Sequence, residues 1–242
     1  MSAYQALSGS YDVLTEDVPY GEFVSFYQQE FQHDGGEFHL LLDLCCGTGT
    51  LTWLLAEAGY ELIGTDASAD MLSIAAGKSS SAAVAPLFLC QAAEKLDLYG
   101  CVDAAVSSLD SVNYIPSECF PSVLKRLHLF IRPGGLFLFD IRSENWLRSL
   151  DGSTSVDEKE DLLCLWRADF DPEKKALHYG MDIFTKRGRL WERDGEEHTE
   201  YVYTEAEIGR MLRDEGFTLL RVEKAGPQGN LGREFYICRR NL

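Results

Sequence analysis

The stretch LLDLCCGTGT, from Leu41 to Thr50, decides how the chain is organised. Its leucines form a short apolar run, and Gly47 and Gly49 follow within a few residues. Apolar residues then return at helical spacing, as Leu51, Leu54, Leu55 and Ala58. This pattern predicts a strand, a tight turn and a helix. Because glycine reaches positive φ and leaves room for a ligand, two glycines here predict a cofactor cradle, although an ordinary turn also fits.

A second signal follows the next apolar stretch. The residues from Tyr60 to Thr65 predict a strand that ends at Asp66, which lies 19 residues after Gly47. Folds that bind an adenosine group often place an acidic side chain about 20 residues beyond the glycines, where it accepts hydrogen bonds from the ribose hydroxyls. Together the two signals predict a site for an adenosine-containing cofactor.

Strands and helices alternate over most of the chain. Ser68 caps a short predicted helix that ends at Gly77. Further strands are predicted at 84–90, 102–109, 136–141, 217–222 and 235–238, and a helix at 120–131. Pro86 favours an edge position or the start of a strand, and 92–100 shows no clear pattern. Such alternation predicts an α/β fold, a Rossmann-like doubly wound parallel sheet with helices on both faces.

The pattern changes between residues 149 and 201. Its first part, DGSTSVDEKED at 151–161, is polar and is predicted to be flexible. Beyond it, apolar residues recur at every second position from Leu177 to Ile183, and turn signals separate three strand-like runs. We therefore predict an antiparallel β meander, 149–201, inserted into an α/β core made of 38–148 and 202–242. The whole chain, 1–242, is expected to form a single domain.

Aromatic residues are frequent in the first 37 positions. From Tyr20 onward, Phe23, Tyr27 and Phe31 fall at helical spacing, which predicts one or two amphipathic helices before the first strand. One interpretation is that these rings simply pack on the sheet. The other is that segment 1–37 forms a helical lid over the crevice at the carboxyl ends of the strands.

The composition limits the possible partners. The 242-residue chain has 22 Lys and Arg against 39 Asp and Glu, a formal net charge of −17. A nucleic acid would be repelled over most of such a surface, whereas a cationic small molecule is mildly favoured. No apolar run reaches the roughly 20 residues of a membrane helix, and the first residues do not resemble a signal peptide. We expect a cytoplasmic protein without nucleic-acid or membrane partners, as a monomer or homodimer.

The cysteines do not indicate a metal site. Seven are present, an odd number, and no C-x-x-C pair occurs. Their apolar surroundings predict buried, reduced thiols rather than a disulfide framework or bound zinc. Cys45 and Cys46, beside the glycine turn, are candidates for reactivity, although packing is favoured for both.

Five motifs in register resemble the class I S-adenosylmethionine-dependent methyltransferases. They are DLCCGTGT, GTDASADML, LFLCQAAEKL, SLDSVNYI and LFIRPGGLFLFDI. The stretches YDVLTEDVPY and EEHTEYVYTEAEI resemble a bacterial branch of this family that acts on small molecules. The resemblance covers nearly the whole chain. It implies a seven-stranded sheet whose last strand runs antiparallel, S-adenosylmethionine as the cofactor and a small-molecule methyl acceptor.

The resemblance also implies which residues surround the cofactor. The methionine part is expected near Asp43, Gly47 and Gly49. Asp66 is expected to bind the ribose and Met71 to cover one face of the adenine. Ala67 is also expected to contact the cofactor. Leu109 and Asp110 would line the crevice near the amino-acid end of the cofactor. Tyr11 and Tyr20 would sit on the helical lid.

One position departs from the family pattern. The family often has an acidic residue just after the third strand, which binds the adenine amino group, and the matching position here is Ala92. Gln91 offers an oxygen acceptor instead. We therefore expect the adenine to be held weakly or differently.

The expected reaction depends chiefly on positioning. Methyl transfer from a sulfonium is an in-line displacement. Alignment of the two reactants lowers its activation free energy by about 7 to 11 kcal/mol. If the acceptor must lose a proton, His198 is the first candidate base, followed by Tyr114 and Tyr20. The alternatives are an exposed histidine at a charged strand end and structural roles for the tyrosines. Packing in the meander, or contact with the acceptor, is expected of Trp166, Tyr179 and Trp191.

Three other functions remain open from the residues alone. An NAD-dependent oxidoreductase would favour glycine at position 52, where this chain has Thr52. A cofactor-binding module without turnover is suggested by Ala92 and by the lack of a definite base. A nucleic-acid methyltransferase is disfavoured by the charge and by SVNYIP, which is not an Asn-Pro-Pro-Tyr type of loop.

Overall fold

The structure, a computed structural model, describes residues 7–227 and 232–242. Within these ranges the α-helices are α1 (Ser8–Leu14), α2 (Tyr20–Asp34), α3 (Thr50–Glu57), α4 (Ala69–Gly77), α5 (Phe120–Phe130), α6 (Glu144–Ser149) and α7 (Glu205–Asp214). The strands are β1 (Leu40–Leu44), β2 (Glu61–Asp66), β3 (Leu87–Cys90), β4 (Val102–Ser107), β5 (Ile131–Arg142), β6 (Ser153–Lys159), β7 (Leu162–Asp171), β8 (Ala176–Arg187), β9 (Leu190–Tyr201), β10 (Phe217–Glu223) and β11 (Arg233–Arg240). The first six residues of the predicted lid and residues 228–231 of the predicted core lie outside the described residues.

Seven strands form one sheet in the order β10-β11-β5-β4-β1-β2-β3. β11 runs antiparallel to β10 and to β5, whereas the other neighbours pair in parallel. The predicted seven-stranded sheet with an antiparallel last strand is therefore confirmed. β3 lies at the edge and begins at Leu87, directly after Pro86, because proline cannot donate a hydrogen bond to a neighbouring strand.

Helices cover both faces of this sheet. On one face, Phe23 and Tyr27 of α2 are fully buried in a cluster with Leu41 of β1. On the other face, α5 and α7 bury Phe120 and Leu212 in a second cluster. The unpatterned segment 92–100 holds only a short 3-10 helix, Ala93–Lys95. Among the described residues, no helix is long and apolar enough to cross a membrane.

The remaining strands form an antiparallel sheet in the order β6-β7-β8-β9. The prediction that 151–161 is flexible is wrong, because β6 pairs with β7 along its whole length, from Ser153 to Lys159. Most side chains of β6 are exposed. Pairing of its backbone at the sheet edge creates this strand, and no apolar alternation marks it in the sequence.

All seven cysteines are free thiols. The predicted burial is wrong for Cys90 and Cys101, which are exposed at the sheet edge and in the loop before β4. Burial raises the pKa of the Cys45 and Cys46 thiols, with nearby Asp66 and Asp43 raising it further. Both thiols therefore stay protonated, which favours packing over reactivity.

Candidate functional site

A cavity of about 800 Å³ lies at the carboxyl ends of the parallel strands. It sits where the strand order switches, with β1 flanked by β4 on one side and β2 on the other. Ligands of open α/β sheets bind in the crevice at this switch point. One wall, which we call the sheet wall, comes from the loops after β1, β2, β3 and β4. The opposite wall, the meander wall, comes from α1 and the face of β7, β8 and β9 that is directed inwards.

The two glycines of the turn after β1 have different tasks. Both have positive φ, +54° at Gly47 and +71° at Gly49. Gly47 lines the cavity, and a Cβ added there would meet open space, so this position leaves room for a ligand. Gly49 does not line the cavity. A Cβ on Gly49 would lie 2.9 Å from the Cβ of Ala75, so this glycine allows α3 to pack against α4.

Asp66 faces the cavity from the end of β2. Its Oδ2 accepts a hydrogen bond from the Gly47 N–H at 2.9 Å, and its Oδ1 accepts one from the Ser68 N–H at 2.8 Å. Burial raises the pKa of this carboxyl, and the backbone donors partly oppose the rise. The Ala67 N–H also interacts with this carboxylate, and the acceptor capacity left beside the backbone donors fits a ribose hydroxyl. Ala67 and Met71 line the same part of the cavity.

Asp43 and Tyr20 lie outside this cavity, in an adjoining pocket of about 40 Å³. The Oδ2 atom of Asp43 accepts a hydrogen bond from the Thr52 hydroxyl at 2.6 Å, and burial raises its pKa to about 7. The Tyr20 hydroxyl donates to the hydroxyl oxygen of Thr15 at 3.2 Å. The structure therefore gives both residues local partners and does not bring Tyr20 to the meander wall.

The loop after β3 departs from the predicted adenine contact. Ala92 lines the cavity, but Gln91 does not. The Gln91 amide donates to the Asp97 carbonyl at 3.1 Å and accepts from the Asp97 N–H at 2.9 Å, so it closes the loop instead. Glu94 supplies a carboxylate to the cavity lining two residues beyond Ala92.

The turn after β4 is held in an unusual conformation. Leu109 and Asp110, both in the cavity lining, have φ of +58° and +56°. Such values cost residues other than glycine about 1–3 kcal/mol, so the surroundings must enforce them. Asp140, which is fully buried at the end of β5, accepts hydrogen bonds from both N–H groups at 2.9 Å.

Two arginines complete this charged cluster. Arg233 of β11 is 5% exposed; its Nη1 lies 2.5 Å from Oδ1 of Asp110 and also bonds to Asp140. Arg142 Nε lies 3.8 Å from the same Asp110 oxygen. Burial opposes ionisation of Asp110, but the two guanidinium groups outweigh burial and lower the pKa of this carboxyl. At Asp140 the effect of burial is larger than that of Arg233, so the pKa of Asp140 is raised. The sequence did not reveal this cluster, because its members lie on strands far apart in the chain.

The two other candidate bases lie together: His198 is on the meander wall, and Tyr114, from the loop after β4, packs against it. His198 is 7% exposed and faces the cavity, so its interpretation as an exposed histidine is wrong. Its Nε2 lies 2.8 Å from Oε2 of Glu196. The Tyr114 ring meets the His198 ring edge-on, with centroids 5.9 Å apart. Both side chains are candidates for contact with an acceptor.

Glu200 is the member of this wall that the sequence did not reveal. It is 3% exposed, and its Oε1 accepts a hydrogen bond from the Tyr114 hydroxyl at 3.2 Å. Burial, reinforced by Asp110, raises its pKa to about 8. Alternation along β9 was the available signal, because residues two apart on a strand share a face and His198 is two residues away.

The aromatic residues of the meander have different environments. Trp166 and Tyr179 line the cavity. Trp191 lies at the start of β9, is 49% exposed and does not line the cavity. It is therefore neither packed in the meander nor placed to contact an acceptor. In the parts of the chain that the structure describes, no group of three or more metal-ligating side chains occurs.

Helix α1 connects the two walls. The Asp12 Oδ1 atom accepts a hydrogen bond from the Thr48 hydroxyl at 2.6 Å, and Asp12 Oδ2 lies 2.8 Å from the Lys78 ammonium. At the other end of α1, the Leu7 N–H donates to Oε1 of Glu196 at 3.0 Å. Tyr11 lines the cavity between these contacts. A lid role stays a prediction, and within segment 1–37 it now concerns α1, because α2 packs on the sheet.

The chain is similar to known proteins over nearly its whole length. Residues 41–135 match the family model described as "Methyltransferase domain". YqeM of Bacillus subtilis (strain 168), which is assigned as a methyltransferase, is 32% identical over 226 residues, 90% of this chain and 88% of YqeM. The crystal structure of a S-adenosylmethionine-dependent methyltransferase from Clostridium acetobutylicum ATCC 824 is 26% identical, with a TM-score of 0.86 over 100% of both chains. The sugar N-methyltransferase KedS8 from Streptoalloteichus sp. ATCC 53650 shares the fold, with 16% identity and a TM-score of 0.80 over 96% of this chain and 93% of that one.

Proposed function

This chain belongs to the family of S-adenosylmethionine-dependent methyltransferases, and from that premise we propose that it methylates a small molecule bound against the meander wall. One observation carries the proposal. A single cavity of about 800 Å³ is bounded on one side by the glycine turn and Asp66, and on the other by Tyr114, His198 and Tyr179. Pockets for small ligands have volumes of about 300–1,000 Å³.

The sheet wall suits the cofactor. Gly47 leaves open space in the lining, and the Asp66 carboxylate keeps acceptor capacity beside its backbone donors. We assign Asp66 to the ribose hydroxyls and Met71, which is 2% exposed, to one face of the adenine. We assign Leu109 and Asp110 to the amino-acid end. When bound, S-adenosylmethionine supplies an electrophilic methyl group on a sulfonium.

The residues of the chain contribute mainly by positioning. The turn held by Asp140 and the buried Arg233 is rigid, because its backbone donors and its carboxylates are all bonded. Such a frame fixes the acceptor relative to the cofactor. Alignment of the two reactants lowers the activation free energy of the reaction by about 7–11 kcal/mol. α1 and the meander cover part of the cavity and so limit the access of water to the reacting groups.

Further properties fit this proposal. The net charge of −17 disfavours a nucleic-acid acceptor, and the seven free thiols suit the reducing cytoplasm. The sugar N-methyltransferase that shares the fold acts on a small molecule, as its name says. We propose a cytoplasmic enzyme that works as a monomer or homodimer, with lid, core and meander in a single domain.

Calorimetric titration with S-adenosylmethionine and S-adenosylhomocysteine tests the cofactor assignment. Both are expected to bind the parent protein, and Asp66→Ala is expected to bind them at least tenfold more weakly, since a hydrogen bond to a charged group contributes about 1.5–3 kcal/mol. The matched control is Asp70→Ala, which changes an exposed carboxylate of α4 outside the cavity lining. Equal affinities of parent and Asp66→Ala would refute the assignment of Asp66, and no binding by the parent would refute the proposed function.

A further inference from the structure

We propose that the methyl acceptor is a small amine and that Glu200 binds its nitrogen and takes its proton. This inference rests on the proposed function and specifies the substrate class of that same site. Four features around Glu200 support it: a carboxylate oxygen open to the cavity, the neighbouring aromatic groups, the carboxylate partners of the nearby arginines and the acid–base environment of Glu200.

The first feature is the Oε2 atom of Glu200. This atom is buried and accepts no hydrogen bond of normal geometry among the described residues, although the Tyr179 hydroxyl lies close to the Glu200 carboxyl; Oε1 accepts from Tyr114. A buried acceptor without a donor costs about 1–3 kcal/mol, so native proteins rarely leave one unless a ligand or water completes it. Glu200 lines the cavity, so a ligand that supplies an N–H or O–H donor can complete it.

The second feature is the aromatic surroundings. Tyr179 and Trp166 line the cavity from the meander wall, as Glu200 does, and Tyr114 reaches Glu200 from the loop after β4. Aromatic faces attract cations by about 0.5–2 kcal/mol, more when water is excluded. Burial raises the pKa of the Tyr179 hydroxyl, the nearby Glu200 charge raises it further, and so does a side-chain interaction between Tyr179 and Glu200. A carboxylate among rings fits a protonated amine and repels an acidic acceptor.

The third feature is that the neighbouring cations already have carboxylate partners. Arg233 is bound by Asp110 and Asp140, and Arg142 Nε lies 3.8 Å from Asp110. These arginines are therefore not left as a free pair of charges that would recruit a carboxylate or phosphate acceptor to this end of the cavity. The excess of acidic residues over the whole chain acts in the same direction.

The fourth feature is the acid–base environment. The groups that face Glu200 from the surrounding elements are Tyr114, Tyr179, His198, Asp110, Arg142 and Arg233. Burial and the Asp110 charge raise the pKa of Glu200 to about 8, while Arg142 and Arg233 oppose the rise. A base is most effective when its pKa lies near the working pH, and this carboxyl meets that condition.

The proposed reaction begins with a proton transfer. The protonated amine gives one proton to Oε2 of Glu200 and becomes a neutral amine with a free electron pair. The nitrogen forms a bond to the methyl carbon as the carbon–sulfur bond breaks, and that bonding pair stays on sulfur as S-adenosylhomocysteine forms. The product is a methylated ammonium ion, and Glu200 returns its proton to solvent when the product leaves.

Binding to the protein saturated with S-adenosylhomocysteine tests the proposal without turnover. The probes are tyramine, 4-ethylphenol and 3-(4-hydroxyphenyl)propionate, which share a phenol ring and differ in the terminal group, together with glucosamine and glucose. At least one amine is expected to bind, and its partner without the amine is expected to bind at least tenfold more weakly. Glu200→Gln, which keeps the size of the side chain, is expected to weaken amine binding at least tenfold without changing affinity for S-adenosylhomocysteine.

Glu197→Gln is the matched control, because Glu197 is exposed on the opposite face of the same strand. It is expected to bind all probes as the parent does. Glu200→Met provides a second variant of similar size if Glu200→Gln loses its fold, and retained binding of S-adenosylhomocysteine identifies a folded variant. The same set is then assayed for methyl transfer across pH, where the parent is expected to show a rise near the pKa of Glu200 that the variants lack.

The outcomes separate the two proposals. If the parent protein fails to bind S-adenosylhomocysteine, the proposed function itself fails. If it binds S-adenosylhomocysteine but no amine probe, or prefers the phenol or acid partner, the amine proposal is overturned while the function stands. If the amine binds equally well to the folded Glu200 variants, Glu200 does not bind the acceptor.

Discussion

The two walls of the cavity are built on different principles. The sheet wall uses consecutive strand-to-helix turns, so that Gly47 and Asp66 lie near each other through strand pairing, and the Gly47 N–H bonds directly to Asp66. The meander wall uses side chains from α1, β8 and β9, and its carboxylates are buried among aromatic groups. Backbone geometry therefore shapes the wall that we propose for the cofactor, whereas buried side-chain charge shapes the wall that we propose for the acceptor.

The largest expected effect lies where the two walls meet. Asp140→Ala removes the acceptor for two backbone N–H groups and one partner of the buried Arg233. Breaking a buried ion pair costs about 3–5 kcal/mol, so we expect a loss of that size in the free energy of unfolding by denaturant titration. Asp169→Ala, on the exposed side of β7, is expected to change it by less than about 0.5 kcal/mol. A loss below about 1 kcal/mol for Asp140→Ala would show that the turn does not depend on it.

Substitution of the two glycines after β1 should affect different properties, stability at Gly49 and cofactor affinity at Gly47. Gly49→Ala combines a left-handed conformation, about 1–2 kcal/mol, with overpacking against Ala75 and Phe88, about 1–3 kcal/mol. Gly47→Ala carries only the conformational cost, but its methyl group enters the cavity lining. We expect Gly49→Ala to lose more stability in thermal unfolding and Gly47→Ala to lose more cofactor affinity in calorimetry. The reverse order would contradict the division of tasks between them.

The pH dependence of stability should report the buried carboxyl of the meander wall. The pKa of Glu200 is raised from 4.5 to about 8, so the folded protein holds this proton more tightly than the unfolded chain does. The resulting stability is complete below the unfolded pKa and is lost as pH rises through about 8. Glu200→Gln is therefore expected to lose less stability than the parent between about pH 5 and 9 in denaturant titrations. Parallel curves for the two proteins would show that Glu200 ionises normally when folded.

The smallest expected effect on stability concerns the contact between α1 and the glycine turn. Asp12→Asn weakens the partly exposed pair with Lys78, so the free energy of unfolding should fall by less than about 1 kcal/mol. Because Asp12 also binds Thr48 beside the cavity, we expect S-adenosylhomocysteine to dissociate several-fold faster in stopped-flow experiments. Asp17→Asn, whose side chain is 93% exposed, serves as the control. An unchanged dissociation rate would argue against a lid role for α1.

Much of the fold could be predicted from patterns within short stretches. Alternating apolar strands and helices predicted the parallel sheet covered on both faces, the family resemblance implied its seven strands, and Pro86 favoured the edge position or start of β3. The same reasoning missed β6. Most of its side chains are exposed, so its sequence does not alternate between apolar and polar residues. For the site, the structure brings Gly47, Asp66 and Met71 to one cavity but leaves Gly49, Gln91 and Asp43 out of its lining.

By itself the sequence determined the fold class, the glycine turn and the position of Asp66, because these depend on spacing between residues close in the chain. Only the tertiary structure decided that Arg233 and Glu200 line one cavity and that the buried Asp140 holds Arg233 there, since these residues come from β11, β9 and β5. Their chemistry also depends on burial, which shifts the pKa of each carboxyl and which no local pattern records. The proposed acceptor site therefore depends on packing between the two sheets.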